Sequence, residues 1–160
     1  MRVLVVYYSL TGTTRAVAAA LARELGADIE GLLCPRYEPG ASGSIRAAWD
    51  SWRGYLPPVQ PLVHDLADYG LVVVAGPIWA FHPATPVRAF LRQAAPRLHN
   101  VAFVLTHGGS AGQRSLREMA AMAVRPPVAT LVVREAAVKR GRFAEAVAQF
   151  AASLRVVQAA

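Results

Sequence analysis

The sequence predicts an α/β fold in which a parallel sheet is covered on both faces by helices, and three observations predict it. Five short apolar runs alternate with amphipathic stretches along the 160 residues. The runs are near-continuous Val, Leu and Ile, as expected of strands buried on both faces. The first of them empties into a turn rich in hydroxyls and glycine and then into an alanine-rich helical pattern.

The strands are expected at Arg2 to Tyr8, Asp28 to Cys34, Leu71 to Gly76, Asn100 to Thr106 and Val128 to Arg134. Between the first two, Val17, Leu21 and Leu25 recur at four-residue spacing and Gly26 supplies a helix stop. After the second strand Pro35, Pro39, Gly40 and Gly43 mark a loop. Ser44 to Leu56 then reads as a helix ended by Pro57-Pro58, with Ile45, Trp49 and Trp52 on one face. With Tyr55 added, this stretch is too sticky for a plain solvent helix. Packing on the sheet is the first expectation for it, and a ligand or a second subunit the alternatives. Pro86 fits the first turn of the next helix, which continues through Val87, Phe90 and Leu91. Leu116, Met119 and Ala123 form the following one, which Pro126-Pro127 forbid to continue. Phe143, Val147, Phe150 and Leu154 stripe the last. All these stripes are core faces. One domain spans residues 1–160, large enough to bury a core unaided.

Chemistry concentrates after three of the strands. Ser9-Leu10-Thr11-Gly12-Thr13-Thr14 places four hydroxyls at a strand-to-helix junction. There the unpaired N–H groups and the positive end of the helix dipole suit a phosphate. A single helix cap by Thr11 or Thr13 needs only one of those hydroxyls. The turn lacks the Lys of a nucleotide-triphosphate loop and the three spaced glycines of a dinucleotide fingerprint, so a terminal monoester phosphate fits it best. After the third strand comes Gly76-Pro77-Ile78-Trp79-Ala80-Phe81-His82-Pro83, whose aromatic faces at a crevice mouth suit a planar heteroaromatic ligand. Ile78 and Trp79 alternatively clasp the following helix. After the fourth, Thr106-His107-Gly108-Gly109-Ser110-Ala111-Gly112 allows close backbone approach and opens the next helix. His107 is either a proton donor or, as first expected, a solvent-facing loop residue.

Composition narrows the classes. The net charge of +7 is uneven, with six basic and seven acidic residues in 1–80 against eleven and three in 81–160. The basic residues are scattered arginines, with only Lys139-Arg140-Gly141-Arg142 forming a cluster and no interleaved aromatics, so nucleic-acid binding is not expected. Mean hydropathy is +0.31, yet no apolar run approaches the roughly eighteen residues that span a bilayer. No signal peptide is read in the first strand, and a cytoplasmic protein that does not bind membranes is expected. The lone Cys34 can form no intrachain disulfide, and no Cys/His cluster has metal-ligand spacing.

Ser9, Thr11, Gly12 and Thr14 resemble the first loop of the flavodoxin family, Ser/Thr-x-Thr-Gly-x-Thr, which wraps the phosphate of flavin mononucleotide (FMN). The resemblance implies a three-layer sandwich with strand order 2-1-3-4-5 and a ligand crevice between strands 1 and 3, flanked by strand 4. It implies FMN as cofactor, bound by residues 9–14, 77–81 and 106–109. Trp79 would lie against the ring system, the backbone at Ala80 and Phe81 near flavin N5, and Thr106 to Gly109 (Thr106, His107, Gly108, Gly109) along the pyrimidine edge. A phosphatase of the small tyrosine-phosphate type would need a first-loop cysteine. A response-regulator receiver would need acidic strand ends where Ser9, Pro77 and Thr106 stand.

For a flavin-bearing chain the function classes are an electron carrier serving a redox partner protein, or an NAD(P)H-dependent quinone reductase serving a small quinone-type acceptor. Arg114 and Arg117 are the candidates to meet a dinucleotide phosphate in the second. A binding module that keeps the fold without flavin is a third class, and residues 44–56 offer a homodimer contact. Typical carrier flavodoxins are strongly acidic. A basic chain predicts a less negative flavin potential and repels the basic docking faces that acidic carriers use.

Overall fold

The computed structural model describes residues 1–109 and 111–159. Its elements run β1 (Val3–Tyr7), α1 (Thr13–Leu25), β2 (Asp28–Gly31), α2 (Ala41–Arg53), β3 (Leu71–Trp79), β4 (His82–Pro83), α3 (Thr85–Ala94), β5 (Asn100–His107), α4 (Gly112–Ala123), β6 (Thr130–Arg134), α5 (Glu135–Lys139) and α6 (Ala144–Ala159). The parallel sheet has order β2-β1-β3-β5-β6, and β4 pairs antiparallel with β3 alone. With that two-residue β4 set aside, this is the expected 2-1-3-4-5 order.

The period of two along the strands sorts the core into two halves. Val3 and Val5 of β1 face one side with Val17 and Leu21 of α1 and Val147, Phe150 and Leu154 of α6. Leu4 and Val6 face the other, with Ala47 of α2, Phe90 and Leu91 of α3, and Leu116 and Met119 of α4. Val5, Leu4 and Val6 have no solvent exposure. Helices thus cover both faces, and the carboxyl ends of the parallel strands share one edge. None of the helices is long and apolar enough to cross a membrane among the described residues.

Three departures from the sequence reading bear on function. Strand β2 stops at Gly31, short of Cys34, because its partner β1 ends at Tyr7, the last residue of the register. Strand β3 runs past Gly76 to Trp79, where Ile78 and Trp79 fold back on Pro83 and His82 as a hairpin. Its turn residues Ala80 and Phe81 both have positive φ, 46° and 69°, without the Asn-Gly signal such turns usually carry.

The third departure is a correction. Helix α2 does not bury its tryptophans on the sheet. Its inward face is Gly43, Ala47, Asp50 and Ser51, while Ile45, Trp49 and Trp52 point to solvent. At Gly43 no side chain fits: a Cβ there would stand 1.7 Å from the carbonyl oxygen of Glu38, in the loop before the helix. The inward positions are small or polar, and the aromatic stripe faces out.

Candidate functional site

The ends of β1, β3 and β5 open onto one cavity of about 300 Å³. Of the fifteen residues expected there, Ser9, Leu10, Thr11, Thr13, Thr14, Pro77, Ile78, Trp79, Ala80, Thr106, His107 and Gly108 line it. Gly12, Phe81 and Gly109 do not. Gly12 instead sits behind the loop as the helix N-cap residue, and Phe81 projects outward, mostly exposed. Ser110 lies outside the described residues.

The first loop divides its hydroxyls between two tasks. Ser9 Oγ accepts a bond of 3.1 Å from the Gly12 amide, and Gly12 adopts φ 94° to make the turn. Thr14, almost fully buried, places Oγ1 2.7 Å from Thr106 Oγ1 and so joins the first loop to the third. Thr11 and Thr13, more open, stand with their hydroxyls 3.4 Å apart at the cavity. No side chain caps α1, so its first-turn amides keep their donors for a ligand.

Trp79 forms one wall while being fixed from behind. Its ring meets Tyr8 edge-on at 5.4 Å and Tyr37 at 5.0 Å, and its carbonyl accepts a 2.6 Å bond from Ser51 Oγ of α2. The two sequence readings of Ile78 and Trp79, ligand wall and hydrophobic clasp, are therefore met by the same side chains. The strained turn is held from several sides. Ser115 of α4 donates to the Phe81 carbonyl at 3.4 Å. Glu118 takes His82 Nδ1 at 2.7 Å and stands 3.1 Å from Arg88 Nε, at an angle that makes the latter an ion pair more than a hydrogen bond.

Behind Trp79 lies a polar network that sequence reasoning missed. Asp50, with 2% of its surface exposed, accepts two bonds from the Arg36 guanidinium and a 2.9 Å bond from Tyr37 Oη, which also meets Thr85 Oγ1 at 2.7 Å. The Arg36 bonds outweigh burial and hold the Asp50 carboxyl below the usual carboxylate range. Burial pushes the Tyr37 hydroxyl up to about 12. The network ties α2, the loop before it and α3 into one platform under the cavity wall.

Ser44, Ala47 and Ala48 of α2 and Glu135 of α5 also line the cavity. Glu135 follows β6, a strand end that the sequence reading did not use, although the rule that ligands collect past strand ends extends to it; the α2 residues carried no sequence signal beyond being small. Glu135 pairs with Lys139 Nζ at 2.9 Å. Among the described residues no Lys or Arg side chain lines the cavity and Glu135 is its one carboxylate, so an anion at the first loop meets neutral donors and the helix dipole. His107 lines the cavity too, and its Nδ1 is buried with no hydrogen-bond partner among the described residues. Arg114 and Arg117 are exposed on α4 and are not part of the lining.

No protein-family model matches the sequence, and no curated protein matches it. Solved structures do. The chain is similar to a flavoprotein of Lactobacillus acidophilus in complex with FMN, at 22% identity and a TM-score of 0.71 over 87% of this chain and 97% of that one. The apo-form of the flavoprotein from the same organism matches at 23% identity and a TM-score of 0.64, covering 83% and 91%. The two-electron reduced flavodoxin of Megasphaera elsdenii matches at 21% and 0.54, covering 92% and 98%. At these identities the likeness is one of fold, and the chain has the flavodoxin-like fold.

Proposed function

We propose that this chain is an FMN-binding redox protein that carries electrons through a non-covalently held flavin. The observation that supports it most is the convergence of three strand-end loops on one cavity that combines an uncapped helix start, an aromatic wall and a buried His107 Nδ1 with no hydrogen-bond partner among the described residues. These features match the parts of a flavin mononucleotide one by one. The α1 amides with Thr11 and Thr13 suit a monoester phosphate. Trp79 and the 77–80 backbone suit the flat ring, and Thr106 to Gly108 suit its polar edge through main-chain groups. The fold likeness to a protein crystallised with FMN agrees with this reading.

The flavin supplies the one- and two-electron chemistry; the protein supplies position, electrostatics and the exclusion of water. Thr14 and Thr106 tie the start of α1 to the end of β5. The Asp50 network and Ser51 hold Trp79 in place. The lining holds one carboxylate, Glu135, which is paired with Lys139, and the chain is net positive, so together they oppose the negative charge of a reduced flavin less than an acidic carrier does, which favours a less negative potential.

The test is uptake of FMN by the purified protein, followed by visible absorbance after gel filtration and by quenching of flavin fluorescence, with riboflavin alongside. FMN retained and riboflavin held far more weakly is the expected result, because the phosphate supplies much of the affinity. A protein that takes up neither overturns the flavin reading. Equal affinity for both overturns the assignment of the first loop to phosphate.

A further inference from the structure

Helix α2 presents two neighbouring stripes. Ser44 and Ala48 line the cavity, and one residue further round the helix Ile45, Trp49 and Trp52 face solvent. Their exposures of 70%, 55% and 68% are far too large for a stripe of this size with nothing to cover it. Tyr55, just past the helix, extends the patch at 40% exposed. The patch is ordered in itself: the Trp49 and Trp52 rings stand 5.4 Å apart, Arg53 lies over Trp49 at 5.9 Å, and Arg36 lies over Tyr55 at 4.5 Å. Trp, Tyr and Arg in a preformed cluster are the residues that dominate protein interfaces.

Charge selects the occupant. Exposed Arg46 and Arg53 share this side of the helix, and its only acid, Asp50, is buried and committed to Arg36. Glu38, near the N-terminal end, is the nearest exposed carboxylate along the chain before the helix. A twofold contact would oppose these arginines across two chains that each carry +7. Two arginines are also fewer than the four to eight basic residues, roughly, that hold a segment to an anionic bilayer. An acidic protein surface with an apolar centre satisfies both the rings and the cations.

We propose that the outer face of α2 docks an acidic one-electron carrier protein beside the cavity mouth. That the partner carries electrons rests on the flavin reading; that it is acidic and lands on α2 does not. The same helix contacts the Trp79 carbonyl through Ser51 on its inner side, so a partner seated on α2 stands one helix thickness from the cavity wall.

The experiment titrates the protein, with and without FMN, with a plant-type [2Fe–2S] ferredoxin as the acidic carrier and a basic c-type cytochrome as its opposite in charge. Binding is read by calorimetry. Binding of the ferredoxin and not of the cytochrome is expected. Affinity should weaken about tenfold or more as salt rises through the physiological range, and by about thirtyfold in Trp52→Ser or Arg53→Glu. Arg46→Glu, checked by circular dichroism like the others, serves as an independent variant. The proposal is overturned by no ferredoxin binding, or by binding that these variants leave unchanged. It is equally overturned by a homodimer in sedimentation that Trp52→Ser dissolves, or by patch-dependent binding to phosphatidylserine vesicles. Docking without FMN uptake would leave the α2 assignment standing and remove the flavin; FMN uptake without docking would do the reverse.

Discussion

Thr14 and Thr106 share a 2.7 Å hydrogen bond between their hydroxyls, 92 residues apart in sequence, and both are buried in the cavity lining. The sheet sets the separation of β1 and β5 through β3, and this bond ties the start of α1 directly to the end of β5.

Thr14→Val or Thr106→Val therefore leaves one buried hydroxyl without its partner and is expected to cost about 1–3 kcal/mol in urea unfolding. The double variant removes both polar groups and is expected to be less destabilised than the sum of the singles. Strict additivity would mean that the two hydroxyls do not interact. FMN affinity should fall in the singles, because the misplaced loop no longer aims the α1 amides.

Asp50 gives the platform a pH dependence. Its carboxyl is held below the usual range, chiefly by Arg36, so its contribution to stability is present above the unfolded carboxylate value of about 3.9 and is lost as pH falls through the lower folded value. Asp50→Asn is expected to cost about 2 kcal/mol at neutral pH and to flatten the acid limb of the stability curve. An unchanged acid limb would place the titrating groups elsewhere. The same variant loosens Tyr37 against Trp79, so flavin affinity should drop alongside stability.

How far the sequence reached is clearest in these residues. The first loop was legible because strand, turn and helix start are contiguous, and their chemistry is local. The strand order followed from resemblance, and the alternating core from side-chain period. Asp50, Ser51 and Ser115 were not legible: their partners lie many residues away, and nothing local marks a serine that binds a distant carbonyl. Trp49 and Trp52 misled because hydrophobicity argues burial, whereas the inward face of the helix carries Asp50 and Ser51, bonded to Arg36, Tyr37 and the Trp79 carbonyl. The extension of β3 was hidden for a related reason. The turn at Ala80 and Phe81 is flanked by bonds from Ser51 to Trp79, from Ser115 to Phe81 and between His82 and Glu118, all from distant residues.

That turn stores strain that glycine would release. Phe81 has φ 69° and a mostly exposed ring, so Phe81→Gly gives up little packing and relieves the left-handed penalty. A gain of about 1 kcal/mol in unfolding free energy is expected. Ser115→Ala should act in the opposite sense by removing the bond to the Phe81 carbonyl. A loss of stability in Phe81→Gly would show that the ring, and not the backbone, matters at this position.

His107 offers the sharpest separation of folding from binding. Its Nδ1 is buried with no hydrogen-bond partner among the described residues, and an unsatisfied ring nitrogen costs the ligand-free protein whichever tautomer it adopts. In the flavin reading that nitrogen waits for a polar group of the ligand. His107→Leu removes the orphaned atom and keeps an apolar body of similar reach, so the ligand-free protein should melt at a higher temperature, by about 1 kcal/mol of added stability. FMN affinity should fall by about tenfold, since a ligand polar group would then face a methyl. The two effects have opposite signs, and a residue of purely structural value cannot produce that pair. If the variant is destabilised and binds FMN unchanged, His107 belongs to the scaffold.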